Sequence, residues 1–388
     1  MSGRLPAADD RIEILVNARH LVGPRTGIEV YMEQLLTALA RTGRVRITAL
    51  TWAPLGLEQP GLREVVLSRR PDFPPGAVGS LRGALWKTWF DQWRCLRAIA
   101  PAHGVLYHGM DGFLPRALRR RDRCVATVHD LGWQAHPELY PRKLRLMYGV
   151  LFPWVVRRAD RFIAVSRYTA DDLMRRAGVP ASRIEVIYHG LDPAFASPND
   201  GAGPVASGPP YLLAVGGVSP RKNTRRLIEA FGRWRTRGAH RAEYTLRITG
   251  TSLDPASPRS GESLPTGVFL LGYVDKAELR RLYAGAAAFV YPSIYEGFGL
   301  PIIEAMACGV PVVTSHTASA PEIAGGAAIL VDPFAVESIE SGLEQATDPG
   351  EAERLRALGR DRARLFDWST AAGATIEVYR QLGNEADG

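Results

Sequence analysis

Cysteine is scarce in this sequence. Cys95, Cys124 and Cys308 are the only three in 388 residues, far apart and without metal-ligand spacing. That argues against a disulfide-stapled scaffold or a cysteine-held zinc site and favours a reducing compartment. Long apolar runs are missing too. "GVLFPWVV" and "AGAAAFVY" are too short to span a bilayer, and "MSGRLPAADDR" shows no apolar signal segment. A cytoplasmic location is therefore expected. No Asp-X-Asp stands at a strand end to hold a metal, and no glycine turn closes in Gly-Lys-Ser/Thr, so magnesium–nucleotide chemistry is not implied. A basic, aromatic nucleic-acid-binding module is also absent.

What is present describes a folded protein of ordinary composition, 46% hydrophobic and 23% charged. The length allows two domains, each with its own core. The net charge is +8 and the isoelectric point about 9.6. An arginine-rich, solvated surface accounts for such a balance. The basic residues nevertheless cluster in "PRALRRRDR" (115–123) and "PRKLRLMYGVLFPWVVRRADR" (141–161), segments suited to an anionic membrane surface or a polyanionic ligand.

Along the chain, "RIEILVNA", "RVRITALTW", "GVLYHG", "CVATVHD", "RFIAVS" and "RIEVIYHG" read as short strands separated by helical stretches such as "IEVYMEQLLTALART". That alternation predicts βαβ units and a parallel sheet. Residues 192–210 turn to Pro, Gly, Ser and Ala, the composition of a linker. The pattern then restarts with "YLLAVGG", "NTRRLIEAFGRWRT", "YTLRITG", "GVFLLGYV", "KAELRRLYAGA", "AAFVYP", "PVVTS" and "AAILVDP". The expected fold class is α/β, with two Rossmann-like, doubly wound domains facing across a cleft. Ligands of such sheets bind at the carboxyl ends of the strands.

The stretch "YPSIYEGFGLPIIEAMACGVPVV" (291–313) concentrates the chemistry. A strand leads into a loop with Gly297 and Gly299. A helix follows, with Pro301 expected at its first position and Gly309 as its stop. Free N–H groups at that helix start suit phosphate, and the glycines would let it approach the backbone. Glu304, placed in the first turn, could reach neighbouring hydroxyls. A Gly-X-Gly turn before a helix is also common without a ligand, and a glutamate there can simply complement the helix dipole. A second glycine turn, "AVGGVSPRKN" (214–223), sets Gly216 and Gly217 after a strand and Arg221-Lys222 before a helix. It reads as another diphosphate cradle with the lysine as point charge. Two phosphate-type sites in one half point to a nucleoside diphosphate.

Together these motifs, from "RTGIEVYMEQLL" to "FDWSTAAGATIEVYRQL", resemble the retaining glycosyltransferases of family GT4, which have the GT-B fold. The most specific element is the Glu-X7-Glu signature, Glu296 to Glu304. The resemblance implies that Glu296 faces the donor sugar and Glu304 the ribose hydroxyls. It implies that the backbone of Phe298, Gly299 and Leu300 cradles sugar and phosphate, with Lys222 on the diphosphate and the base near Gly272 and Tyr273. In the amino half, "RTGIEVY" resembles the glycine-rich loop of the family, with Gly27 nearest the cleft. "VATVHDLGW" matches its His-Asp pair, His129 and Asp130, near the sugar or the attacking hydroxyl. By the residues alone, His129 reads first as a strand-end histidine with a structural hydrogen bond. "VIYHGLD" reads as a structural turn. Gly217 stands where many members carry an arginine, and Arg221 is the candidate replacement, as in relatives that read "EPRKN".

The expected domains are 1–205, acceptor-binding, and 206–366, nucleotide-sugar-binding, with a crossing helix near 367–388. The "SPRKN", "VHDL" and "YHGLD" combination most resembles bacterial mannosyl- and rhamnosyltransferases of surface polysaccharide assembly. Their implied donor here is GDP-mannose and their acceptor a glycan or lipid-linked hydroxyl. No metal, cofactor or nucleic-acid partner is expected, and peripheral docking on the inner face of the plasma membrane is. A GT-B-like sugar-nucleotide epimerase, a phosphorylase or a basic nucleic-acid-binding protein are the alternatives.

Overall fold

The computed structural model describes residues 11–22, 27–51, 53–67, 104–196, 208–250 and 264–384. Among these residues the strands form two all-parallel sheets. The first holds β1 (Ile12–Asn17), β2 (Val45–Thr51), β3 (Leu62–Val66), β4 (Leu106–Gly109), β5 (Arg123–Val128), β6 (Arg161–Ala164) and β7 (Ile184–Val186), in the order β3-β2-β1-β4-β5-β6-β7. The second holds β8 (Tyr211–Val215), β9 (Thr245–Thr249), β10 (Val268–Gly272), β11 (Ala288–Tyr291), β12 (Val312–Ser315) and β13 (Ile329–Val331), in the order β10-β9-β8-β11-β12-β13. In both, the strand order reverses between the first and fourth strands of the sheet, the doubly wound arrangement that opens a crevice at the carboxyl ends. The central strands are short apolar runs buried on both faces, as helix-covered parallel sheets require.

The helices that matter below are α1 (Gly27–Arg41), α2 (Arg142–Arg158), α3 (Arg167–Ala177), α4 (Thr224–Arg235), α5 (Lys276–Gly285), α6 (Leu300–Ala307), α7 (Ala320–Ala324), α8 (Val336–Thr347), α9 (Pro349–Ala363) and α10 (Trp368–Asn384). The last returns to the amino half. Its buried residues Trp368, Ala372, Ile376 and Tyr379 share one core with Tyr31, Leu35 and Leu36 of α1. A hydrogen-bonded chain completes the contact: Tyr379 Oη to His108 Nδ1 at 2.6 Å, His108 Nε2 to Thr127 at 2.8 Å and Thr127 to Tyr31 at 2.9 Å. Burial pushes His108 down to about 3, so this polar chain carries no charge at neutral pH. The expected domain boundary at 205/206 lies outside the described residues.

Helix α6 begins one residue earlier than the proline suggests. Gly299, at φ 102°, is its left-handed cap, Leu300 is its first residue, and its first turn holds no acid. Glu304 is thus the fifth helical residue rather than a first-turn one. Gly309, at φ 72°, follows the helix end as expected.

Candidate active site

The site is built on the loop between β11 and α6. Every carbonyl from 291 to 298 accepts a hydrogen bond from a side chain. Tyr291 is held by Thr314 (3.0 Å), Pro292 by Asn223 Nδ2 (3.1 Å), Ser293 by Ser315 and Ile294 by Thr317 (3.0 Å). Tyr295 is held by Arg221 Nη1 (3.3 Å), and both Glu296 and Phe298 by Ser319 Oγ (2.9 Å each). Gly297 receives Ser166 Oγ at 2.6 Å and Thr169 Oγ1 at 3.2 Å, both from the amino half. In contrast, the N–H groups of Gly297, Phe298, Gly299 and Leu300 bond to no described residue. With the carbonyls tied down on one side, the loop leaves four donors at a helix start, the makings of an anion site.

Beside those donors sits a three-centre ion cluster. Glu296 is buried, with Oε1 2.8 Å from Lys222 Nζ and Oε2 2.8 Å from Arg221 Nη1. Burial opposes ionisation of Glu296, but the two cations outweigh it and hold its carboxyl down at about 2. Burial likewise pulls the Lys222 ammonium down to about 8, against the pull of Glu296. Arg221 is pushed up by Glu296 and stays charged. Lys222 lies over the Tyr291 ring, 4.5 Å from its centroid, and bonds its hydroxyl. Arg221, the candidate replacement for the arginine missing at Gly217, pairs with the same carboxylate as Lys222.

The second glycine turn works differently from expectation. Gly216 N and Gly217 N both donate to Thr249 O (2.9 and 2.7 Å), and Gly217 O accepts from Thr224. The buried end of β9 needs those donors for its own carbonyl, so they do not form an N–H cradle. What the turn supplies is room. At φ 110° Gly216 lies against Lys222, where a Cβ would come within 2.9 Å of Lys222 Cε. The missing Cβ of Gly297 serves the fold. A Cβ there would stand 1.6 Å from the His129 carbonyl oxygen, so this glycine lets the two halves meet.

The carboxyl ends of the amino sheet face this loop. His129 follows β5, and its Nε2 lies 2.7 Å from Met110 O. A carbonyl only accepts, so Nε2 carries the proton and Nδ1 keeps its lone pair. Burial depresses the His129 pKa, which favours that neutral form. Asp130 Oδ1 accepts from Gly132 N at 2.9 Å. Gly27 opens α1, and Tyr31 one turn later meets the His129 ring edge-on at 4.8 Å.

Glu304 accepts from Tyr283 at 3.2 Å, and burial raises its pKa to about 7. Nearby, Asp192 binds Lys276 at 2.5 Å and Gln34 at 3.2 Å. Gly272 ends the edge strand β10, where its carbonyl accepts from Gly250 N at 2.7 Å, beside the Gly216–Gly217 turn, and Tyr273 follows it. Tyr273 is 63% exposed and shares no contact with the cluster among the described residues.

Two groups of contributors went unread in the sequence. Thr314, Ser315, Thr317 and Ser319 of "TSHTAS" hold the loop carbonyls, and that run of hydroxyls, beginning at the end of β12 and continuing past it, is the available signal. His189 of "VIYHGLD" packs its ring 4.4 Å from Phe298 and 5.7 Å from His129, which the turn composition of that segment does not announce.

Sequence comparison fits this geometry. Residues 25–195 match the family model described as Glycosyltransferase Family 4, and residues 199–362 that described as Glycosyl transferases group 1. The O-antigen chain mannosyltransferase B of Escherichia coli is 34% identical over 304 residues, covering 74% of this chain and 76% of that protein. The chain belongs to glycosyltransferase family 4.

Solved structures place this GT4 member in the GT-B fold. The sucrose-phosphate synthase of Thermosynechococcus elongatus superposes with a TM-score of 0.74 at 24% identity, over 97% of this chain and 100% of that one. WaaG, a glycosyltransferase involved in lipopolysaccharide biosynthesis, gives 0.70 at 17% identity, over 95% and 99%. Within the described residues of the GT4 chain, no helix is long and apolar enough to cross a membrane.

Proposed function

We propose that this glycosyltransferase moves a hexose from a nucleoside diphosphate sugar to a hydroxyl of a lipid-linked or oligosaccharide acceptor, with retention of anomeric configuration and without a metal ion. The observation that carries the reading is the row of N–H groups at 297–300, bonded to no described residue, beside Lys222 and Arg221. A diphosphate leaving group gains negative charge as its bond to the sugar breaks, and preoriented N–H groups and fixed cations stabilise that charge. These groups supply what a divalent cation would otherwise supply. Glu296, ionised and buried, is an anion suited to the positive charge that grows on the sugar. In this reading His129, neutral with Nδ1 bonded to no described residue, meets the attacking hydroxyl, and Glu304 receives the ribose hydroxyls.

The similarity to O-antigen chain mannosyltransferase B supports mannose as the sugar and assembly of a surface polysaccharide as the setting. GDP-mannose is the donor we put first. A thermal-shift panel of GDP, UDP, ADP and dTDP checks the base, since a ligand at 100 times its Kd adds about 2.7 kcal/mol of stability. GDP is expected to give the largest shift, and GDP-mannose to be consumed only when an acceptor is added. A protein that none of the four stabilises, or one that releases a new sugar nucleotide without acceptor, refutes the reading.

Docking on an anionic membrane is part of the same proposal. Some of the basic residues are structural: Arg158 donates to the carbonyls of Arg119 (2.7 Å) and Asp122 (2.6 Å). Others flank an exposed apolar face of α2, where Leu146 is 71% and Val150 57% exposed between Arg142, Lys143 and Arg157. Each well-placed basic residue adds roughly 1 kcal/mol of attraction to anionic lipid. At low salt the protein is expected to co-sediment with vesicles containing phosphatidylglycerol and not with neutral ones. Equal binding to both removes the membrane from the proposal.

A further inference from the structure

The loop carbonyls from 291 to 298 are held by the carboxyl half itself, with a single exception. Gly297 O is held by Ser166 Oγ (2.6 Å) and Thr169 Oγ1 (3.2 Å), fully buried hydroxyls at the amino end of α3 in the other half. Ser166 is also the cap of α3, accepting from Thr169 N at 3.0 Å. The next donors of that helix end are taken by the carboxyl half as well: Glu322 accepts from Arg167 N (2.8 Å) and Tyr168 N (3.1 Å). The amino end of α3 is thus a socket for acceptors of the opposite domain, where the helix dipole favours them.

We propose that Ser166 and Thr169 are positioning residues that complete the diphosphate site when the two domains close. The physical link is the planarity of the peptide bond. A trans peptide points its C=O and N–H in opposite directions, so tying Gly297 O to the amino half aims the Phe298 N–H the other way. That N–H belongs to the row at 297–300 that bonds to no described residue. Ser319 aims the Gly297 and Gly299 N–H groups in the same manner, through the carbonyls of Glu296 and Phe298, but Ser319 moves with the loop. Only Ser166 and Thr169 arrive from the acceptor half. The donor site is therefore incomplete in an open enzyme, and its affinity for diphosphate reports on closure.

This inference rests on the reading of residues 297–300 as a diphosphate site. The test is calorimetry on the full chain with GDP and with guanosine, using Ser166→Ala/Thr169→Val, which removes both hydroxyls. The Kd for GDP is expected to rise at least tenfold while that for guanosine stays within twofold, and Ser166→Thr, which keeps a hydroxyl and a cap, is expected to bind GDP within threefold of the parent. Glu322→Gln loosens the same socket without touching the loop, and is expected to lower Tm and to weaken GDP binding less than the double variant does, with guanosine binding within twofold of the parent.

A folded double variant that binds GDP like the parent overturns the proposal. So does an equal loss for GDP and guanosine, or a Glu322→Gln effect on GDP as large as that of the double variant. Lys222→Ala in the same assay separates the two levels of inference. If it weakens GDP binding while the double variant does not, only the positioning role fails. If neither changes GDP binding, the diphosphate site itself is misassigned.

Discussion

Glu296→Gln is expected to lower turnover by about 100-fold, an electrostatic loss near 3 kcal/mol, while GDP binds as tightly as before or more tightly. The two halves of this result come from one cluster. In the free protein Glu296 occupies both cations, Lys222 and Arg221, at 2.8 Å each. An arriving diphosphate competes with it for them, so a neutral side chain of the same size leaves more positive charge for the nucleotide. The sugar loses the anion that offsets its developing positive charge. This is unlike a glycosidase, in which two carboxylates flank one bond as acid and nucleophile or base. Here Glu304 is five residues into a helix, paired with Tyr283, and only Glu296 stands in the ion cluster. The product is expected to retain its anomeric configuration, and EDTA to leave the rate unchanged. Inversion, inhibition by EDTA, a trapped glycosyl-Glu296 adduct, or a loss of GDP affinity in Glu296→Gln would contradict the mechanism.

Lys222→Ala is expected to weaken GDP binding by about 1.5–3 kcal/mol, the range for charge-assisted hydrogen bonds, with guanosine hardly affected. Its pH dependence follows from the same geometry. Burial brings the ammonium down to about 8 in the free protein. Below that pH the cation is present. Above it the proton is lost, and GDP affinity falls by up to about tenfold per pH unit, since binding must then be accompanied by proton uptake. Titration calorimetry between about pH 6.5 and 9.5 is expected to show that decline in the parent and its absence in Lys222→Ala. Equal losses for GDP and guanosine, or a parent curve that stays flat, would place Lys222 in the architecture of the Gly216 turn rather than on the phosphates.

Much of this was written in one dimension. Apolar runs of four to six residues alternating with amphipathic helices dictate parallel sheets, because only helices on both faces can bury such strands. The break in composition near 192–210 separates two such units. Glycine, proline and the two glutamates mark a strand–loop–helix junction, where backbone donors are left over by the geometry of any helix start. Local spacing also put Lys222 and Arg221 before a helix, near the end of a strand.

Tertiary structure decided which of those groups are available. A glycine's role depends on what lies opposite its missing Cβ, and nothing near Gly297 in sequence announces that His129 O lies there, 168 residues away. Whether the Gly216 and Gly217 donors face a ligand depends on whether Thr249 O, from a neighbouring strand, needs them first. The pairing of Glu296 with both cations, and the pKa values that follow, arise from three side chains converging in a buried crevice, where charge interactions are far stronger than along a solvated chain. The hold of Ser166 and Thr169 on Gly297 spans two domains. Sequence determined what each segment can offer, and packing across the cleft decided what each one faces.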